Sequence, residues 1–213
     1  YYWGINMDTL AFLRAILPED GVHYLAIFKP GFHAPAHKAF TSLETMADAI
    51  VKMDAGDWTV YHACASYNEE FVDIGGKKKY RISDNWNKAK CFWADLDCGE
   101  SKALEGKGYA TKRDAATAMK EFCDKTGFPK PFYVDSGNGI HAYWPLTQAI
   151  PADIWMKLAK LLKAALAHYE VLADPSRTSD FASILRPVGS HNKKTDNFKP
   201  VLAKNRVEPI DPK

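Results

Sequence analysis

The sequence predicts an α/β fold of mixed sheets flanked by helices, and three observations predict it. The 213 residues are 46% hydrophobic and 25% charged, the balance of an ordinary globular domain. Apolar residues recur with the two-residue period of strands in some windows and the 3.6-residue period of helices in others. These windows come in the order strand, helix, hairpin, helix, strand rather than as repeated strand–helix–strand units. No repeat or low-complexity linker divides the chain, so residues 1–213 read as one domain, with 1–57 as an N-terminal part and 58–201 as the segment carrying the motifs.

Taken in order, Thr9 to Leu17 reads as a short helix stopped by Pro18, and Val22 to Phe28 as a strand. Ser42 is placed to cap a helix running to about Lys52, and Trp58 to Ala65 gives a second strand. The polar, lysine-rich stretch Gly75 to Asn87 reads as a loop or edge hairpin before a strand at about Lys90 to Leu96. Gly99 to Gly108 is expected to be a loop. Thr111 caps a helix whose face is Ala115, Ala118, Met119 and Phe122 and whose end is marked by Gly127 and Pro129. Two short strands, PFYVDS and IHAYW, flank Gly137-Asn138-Gly139, whose Asn-Gly pair is a strong hairpin signal. Pro151 to about Glu170 reads as a long helix turning Ile154, Leu158, Leu161, Leu162 and Ala165 inward. A loop from Asp174 to Ser183 leads to a strand through Ile184 to Arg186.

No stretch approaches the roughly eighteen apolar residues of a membrane span, and the N-terminus lacks the basic start and apolar core of a signal peptide. No membrane partner and a cytoplasmic location are the expectations. Cys64, Cys91, Cys98 and Cys123 form no CxxC pair and read as reduced and structural. A net charge of +2 does not by itself imply nucleic acid, but the charge is uneven: Arg177 to Arg206 holds seven cations against Asp180 and Asp196. A second basic group, Lys77, Lys78, Lys79 and Arg81, has Tyr80 and Trp86 beside it as candidate exposed aromatics. Either group reads as a solvated lysine face or as a nucleic-acid surface. Gly106-Lys107-Gly108 is no phosphate loop, because the upstream glycine and the following Ser or Thr are missing.

Three segments carry candidate chemistry. In CFWADLDCGE, strand alternation puts Asp95 and Asp97 on one side and Ala94 and Leu96 on the other. Two such acids repel unless they share a cation, and carboxylate oxygens favour Mg²⁺ or Mn²⁺ over zinc; alternatively Asp97 only caps the loop at Gly99. In DSGNGIHAYW, Gly137 and Gly139 are placed to leave backbone N–H groups open to an anion while His141 donates to a phosphate oxygen. DPSRTSDFASILRPVGSHNKK supplies Asp174 and Asp180, then Arg186, His191, Asn192, Lys193 and Lys194. Acids for metal followed by cations for phosphate are what a nucleoside triphosphate site needs.

In this order, WADLDCG, SGNGIHAYW and DPSRTSDFASILRPVGSHNKK resemble the archaeo-eukaryotic primase superfamily, specifically the primase-polymerase domains of phages and plasmids. The resemblance covers roughly Trp58 to Val201. It implies a catalytic core with an RRM-like subdomain and a template-dependent nucleotidyl transfer with two metal ions. Asp95, Asp97 and Asp174 would hold the ions, with Asp180 competing for the third place. Ser136, Gly137, Gly139, His141, Arg186, His191, Lys193 and Lys194 would contact the incoming NTP or dNTP, and Lys77, Lys78, Lys79 and Arg81 a single-stranded DNA template. Gly189-Ser190 departs from the Gly-Thr usual there. Such domains are often fused to a replicative helicase, so a catalytic fragment starting naturally at Met7 is expected, with residues 1–6 left from upstream sequence. A metal-dependent nuclease or replication-initiation endonuclease also needs acids and a histidine; Tyr169 is a possible nucleophile for it, but no His-hydrophobic-His pair is present. A noncatalytic nucleic-acid-binding module would need only the fold and the basic strip.

Overall fold

The computed structural model of the protein describes residues 7–212 apart from 30, 32, 33, 57, 196 and 207; the leading residues 1–6 lie outside the described residues. Helix α1 (Thr9–Ile16) starts where the Asp8 carboxylate accepts the Ala11 amide, and it ends before Pro18 as expected. Strands β1 (His23–Phe28) and β2 (Ala36–Phe40) pair antiparallel, α2 (Leu43–Ala55) starts on the Ser42 cap, and β3 (Thr59–Ala63) joins the other side of β1. The lysine-rich segment is a hairpin of β4 (Val72–Ile74) and β5 (Lys77–Lys79). Then come β6 (Lys88–Asp97), α3 (Glu100–Leu104), α4 (Lys112–Thr126), β7 (Phe132–Asp135), β8 (Gly139–Pro151) and α5 (Ala152–His168). The one-turn helix α6 (Pro175–Thr178) precedes four two-residue strands: β9 (Ile184–Leu185), β10 (His191–Asn192), β11 (Lys199–Pro200) and β12 (Leu202–Ala203).

These strands build two four-stranded sheets, β2-β1-β3-β9 and β12-β7-β8-β6, in which every named pairing is antiparallel. The fold class is the expected combination of sheets and helices. One apolar cluster runs through both sheets, from Leu25, Ile27 and Val60 to Trp93, Leu96, Ala142 and Tyr143, so the sheets share a core. Thr111 and Asp114 form a capping box on α4, and Gly127 ends it in the left-handed conformation at φ +70°, both as the sequence indicates. The four cysteines are free thiols. Among the described residues no helix is long and apolar enough to cross a membrane.

Several elements differ from the expectations. Helix α5 buries Trp155, Ala159, Leu162 and Leu166, whereas Ile154, Leu158 and Leu161 stay exposed. Leu162 and Ala165 face the core as expected, but the rest of the stripe is turned outward because Trp155 sets the orientation: its ring stacks 4.4 Å from that of Trp93 and its Nε1 donates to the Cys91 carbonyl at 2.8 Å. The expected loops at 99–108 and 174–183 each contain a short helix, α3 and α6. Strand β8 runs on past Trp144 to Pro151, since its pairing with β6 continues across a bulge near Ala89. Edge strand β2 was not expected: only Phe40 of its five residues is buried, so it carries no apolar alternation. The 137–139 turn is a hairpin, but its positive φ, +91°, falls on Gly137 and not on Asn138.

Candidate active site

Strands β6 and β8, the backbone of the second sheet, align Asp95 opposite His141 and Asp97 opposite Gly139. Trp93, Ala94 and Leu96 are fully buried, while Asp95 and Asp97 emerge at the end of the strand on a shared face. Close pairing here requires glycine at 139, because a Cβ would stand 2.4 Å from the Leu96 carbonyl oxygen. Asp174 is brought to the same place by its backbone, whose N–H donates to the Asp95 carbonyl at 2.7 Å. Its carboxylate caps α6, accepting from the Ser176 amide at 2.8 Å and the Ser176 hydroxyl at 2.6 Å. Trp93 Nε1 donates to the Arg177 carbonyl at 2.9 Å and holds α6 against β6.

Between the two sheets lies a cavity of about 190 Å³. Asp95 and His141 face it from the second sheet, and Arg177, Arg186 and Lys194 supply its cations. Phe28 and Tyr61, in contact at 5.5 Å, form an aromatic wall. Arg186 is only 7% exposed; its guanidinium lies 4.6 Å over the Tyr61 ring and donates to the Tyr61 hydroxyl at 2.5 Å. Among the described residues its Nε has no partner, the kind of buried donor that structures rarely leave unmatched.

The electrostatics follow from this crowding. Burial, and then the charges of Asp97 and Asp174, push the Asp95 carboxyl up to about 7, against the opposing pull of Arg177 and Arg186. Burial and the nearby Arg186 hold His141 well below the usual histidine range, so it is neutral. Its Nε2 stands 3.8 Å from Asp95 Oδ1, too far for a hydrogen bond, and with both groups driven toward neutrality this approach is not an ion pair. Among the described residues no three acids, histidines or cysteines are gathered into a ready ligand set. Asp97 is paired with Lys102 at 2.8 Å, and Asp174 Oδ2 faces Arg177 Nε at 3.8 Å. Asp180 is turned the other way, accepting the Ala182 amide at 3.0 Å.

The remaining sequence candidates divide sharply. Lys194 reaches the cavity, but Lys193 and His191 do not line it: His191 Nδ1 bonds Asp54 at 2.6 Å and the buried Lys193 ammonium lies 3.5 Å from the same carboxylate. Ser136 is buried and its carbonyl accepts from Asn192 Nδ2 at 2.9 Å. The Gly137 N–H is not open to an anion, because Asp135 Oδ1 accepts it at 2.9 Å. Lys77, Lys78 and Lys79 are exposed on β5. Arg81, by contrast, is a tie within the fold, donating to His37 Nε2 at 3.2 Å and to the Ala182 carbonyl. Nor are Tyr80 and Trp86 exposed aromatics: Tyr80 stacks on His37 at 4.5 Å and Trp86 packs on Phe181 at 5.0 Å. The exposed ring of that hairpin is Phe71, with the Lys78 ammonium 4.1 Å above it. Arg177, Tyr61 and Phe28 are missed by the sequence; only Arg177 left a signal, standing one helical turn after Asp174.

No family model and no curated protein matches the chain. Solved structures do. The AEP domain of the primase-polymerase (PrimPol) of cyanophage S-2L aligns with a TM-score of 0.58 at 18% identity, covering 95% of this chain and 90% of that one. Primase RepB′ aligns at 0.56 and 14% identity over 92% of this chain and 55% of that one. The catalytic domain of RepB′ in complex with initiator DNA gives 0.56 and 14% over 93% and 85%. The chain thus shares the fold of these primase and primase-polymerase domains.

Proposed function

We propose that the protein is a template-dependent nucleotidyltransferase, a primase or primase-polymerase that joins nucleotides from NTPs or dNTPs on single-stranded DNA. The observation that carries this reading is the cleft itself: an acid pushed to about 7 by burial and two neighbouring acids, faced by Arg177, Arg186 and Lys194. Such a juxtaposition suits a polyphosphate with its metal ions better than either charge sign alone. The likeness to a primase catalytic domain complexed with initiator DNA supports DNA as the second partner.

The donor chemistry suits two Mg²⁺ or Mn²⁺ ions: Asp95, Asp97 and Asp174 offer only oxygen, and a shared cation would relieve the repulsion that raises Asp95, once the three carboxylates close in from their present separate partners. When bound, the ions would supply activation of a 3′-hydroxyl and charge neutralisation at the α-phosphate. Asp97 would exchange Lys102 for this role, and Asp174 rather than Asp180 would be the third acid, since its backbone is bonded to Asp95. Arg186, with its unpartnered Nε, and Lys194 would bind the triphosphate, and Arg177 would join them. His141, neutral and fixed beside Tyr143, would donate one hydrogen bond to a phosphate oxygen. Phe28 and Tyr61 would bound the space for the nucleotide. The basic β5 hairpin would take the template, and a replicative helicase, fused or separate, would deliver it.

The test is incorporation of labelled nucleotides on single-stranded DNA with Mg²⁺ or Mn²⁺, with and without primer. Wild type should incorporate, and the Asp95→Ala/Asp97→Ala double variant should not while keeping its circular dichroism spectrum. Incorporation by the double variant at the wild-type rate would remove the assignment.

A further inference from the structure

Lys194 is the cleft cation with the least direct support: it is exposed, and it follows a strand only two residues long. What fixes that strand lies elsewhere. Asp54 occupies the last turn of α2, where the helix dipole disfavours a carboxylate, yet it is 7% exposed. Among the described residues, all its side-chain partners come from one segment far away in sequence. The His191 amide donates to Oδ1 at 2.9 Å, His191 Nδ1 lies 2.6 Å from Oδ2, and Lys193 Nζ lies 3.5 Å from Oδ1 while also donating to the Asp54 carbonyl.

Within this segment His191 and Lys193 meet Asp54, whereas Asn192 and Lys194 turn elsewhere. Asn192 is buried, its Nδ2 bonded to the Ser136 carbonyl at 2.9 Å and its Oδ1 accepting the Lys194 amide at 3.2 Å. The segment is therefore held on both faces, and the residue that emerges over the cavity is Lys194. A buried acid paired with a lysine and a histidine of one segment is costly to desolvate and gains little as a stabiliser. It does specify a register, because slipping the strand by one residue would bury Lys194 against α2 and turn Lys193 to the cleft.

We infer that Asp54 is a positioning residue for nucleotide binding: by gripping His191 and Lys193 it holds the Lys194 ammonium over the cleft. This rests on the nucleotide reading of that cleft. A residue acting only through Lys194 has no effect once Lys194 is gone, whereas a residue that merely supports the fold weakens binding regardless.

The experiment is a double-mutant cycle on the dissociation constant of a nonhydrolysable nucleoside triphosphate, measured by calorimetry with Mg²⁺ on the full chain. Lys194→Ala should weaken binding roughly tenfold or more, as expected when a charge-assisted hydrogen bond is removed. Asp54→Asn should weaken it about fivefold, and the double variant should bind no more weakly than Lys194→Ala alone. Lys193→Met, which loosens the grip without touching α2, should repeat the pattern and serves if Asp54→Asn does not fold. Hydrogen exchange at the 191–194 amides should quicken in both grip variants. Single effects that multiply in the double variant, or a Lys194→Ala variant that binds like wild type, would overturn the inference and leave the nucleotide reading standing. A wild-type protein that binds no triphosphate would bring down both.

Discussion

Replacing Asp95 by Asn should stabilise the protein while abolishing its activity. Asp95 carries the cost of the cleft: its carboxyl is pushed from the ordinary 3.8 to about 7, by burial first and then by Asp97 and Asp174. At about 1.36 kcal/mol per pH unit, ionising it at pH 8 costs the folded state roughly 4 kcal/mol. Its side chain keeps 22% exposure, and water at the carboxylate brings the expected cost to about 2–3 kcal/mol. The sign follows from proton binding. Between about pH 4 and pH 7 the folded protein holds a proton that the unfolded chain has lost, so stability falls as pH rises through that window and stays low above it. The asparagine amide has the same shape as the carboxylate and no charge to desolvate. Urea and thermal unfolding of wild type and Asp95→Asn, with EDTA present, should show the variant more stable by about 2–3 kcal/mol at pH 8, a midpoint roughly 4–12 °C higher. The advantage should shrink steadily toward pH 4. Adding Mn²⁺ should stabilise wild type and much less the variant. A variant less stable than wild type at pH 8, or an advantage independent of pH, would refute the reasoning.

Four further outcomes follow from named contacts. Arg186→Ala should weaken triphosphate binding by roughly 1.5–3 kcal/mol, read by calorimetry, because it removes a buried guanidinium whose Nε lacks a partner; wild-type affinity would reassign Arg186 to structure, as the support of Tyr61. Changing Lys77, Lys78 and Lys79 together to Ala should make the salt dependence of single-stranded DNA binding shallower, by about 0.7 in log–log slope for each phosphate no longer neutralised, and Phe71→Ala should remove about 1–3 kcal/mol if a base stacks beside Lys78. Gly139→Ala should destabilise the fold by about 1–3 kcal/mol or more in chemical denaturation, since its Cβ would stand 2.4 Å from the Leu96 carbonyl and force β6 and β8 apart at the acids.

The sequence determined whatever depends on neighbours along the chain. Helix caps at Ser42 and Thr111, the stop at Gly127 and the shared face of Asp95 and Asp97 are local: each follows from a side chain meeting a backbone group within four residues, from glycine's access to positive φ, or from the two-residue repeat of a strand. The order of three acid- and cation-bearing segments was equally legible in the sequence. Only the tertiary structure decided which side chains reach the cleft. Nothing near Lys193 and Lys194 in sequence tells them apart; Asp54, on a different helix, takes one and leaves the other. Tyr61 belongs to the site because Arg186, 125 residues later, lies on its ring. Arg81, Tyr80 and Trp86 look like a free surface until β2 and the segment after α6 cover them. Helix α5 likewise has two apolar stripes, and the Trp93 ring selects between them. The physical reason is common to all four: local propensity sets the conformation of a segment, but burial and charge pairing depend on which distant surface it meets, and that is fixed only when the sheets close on their shared core.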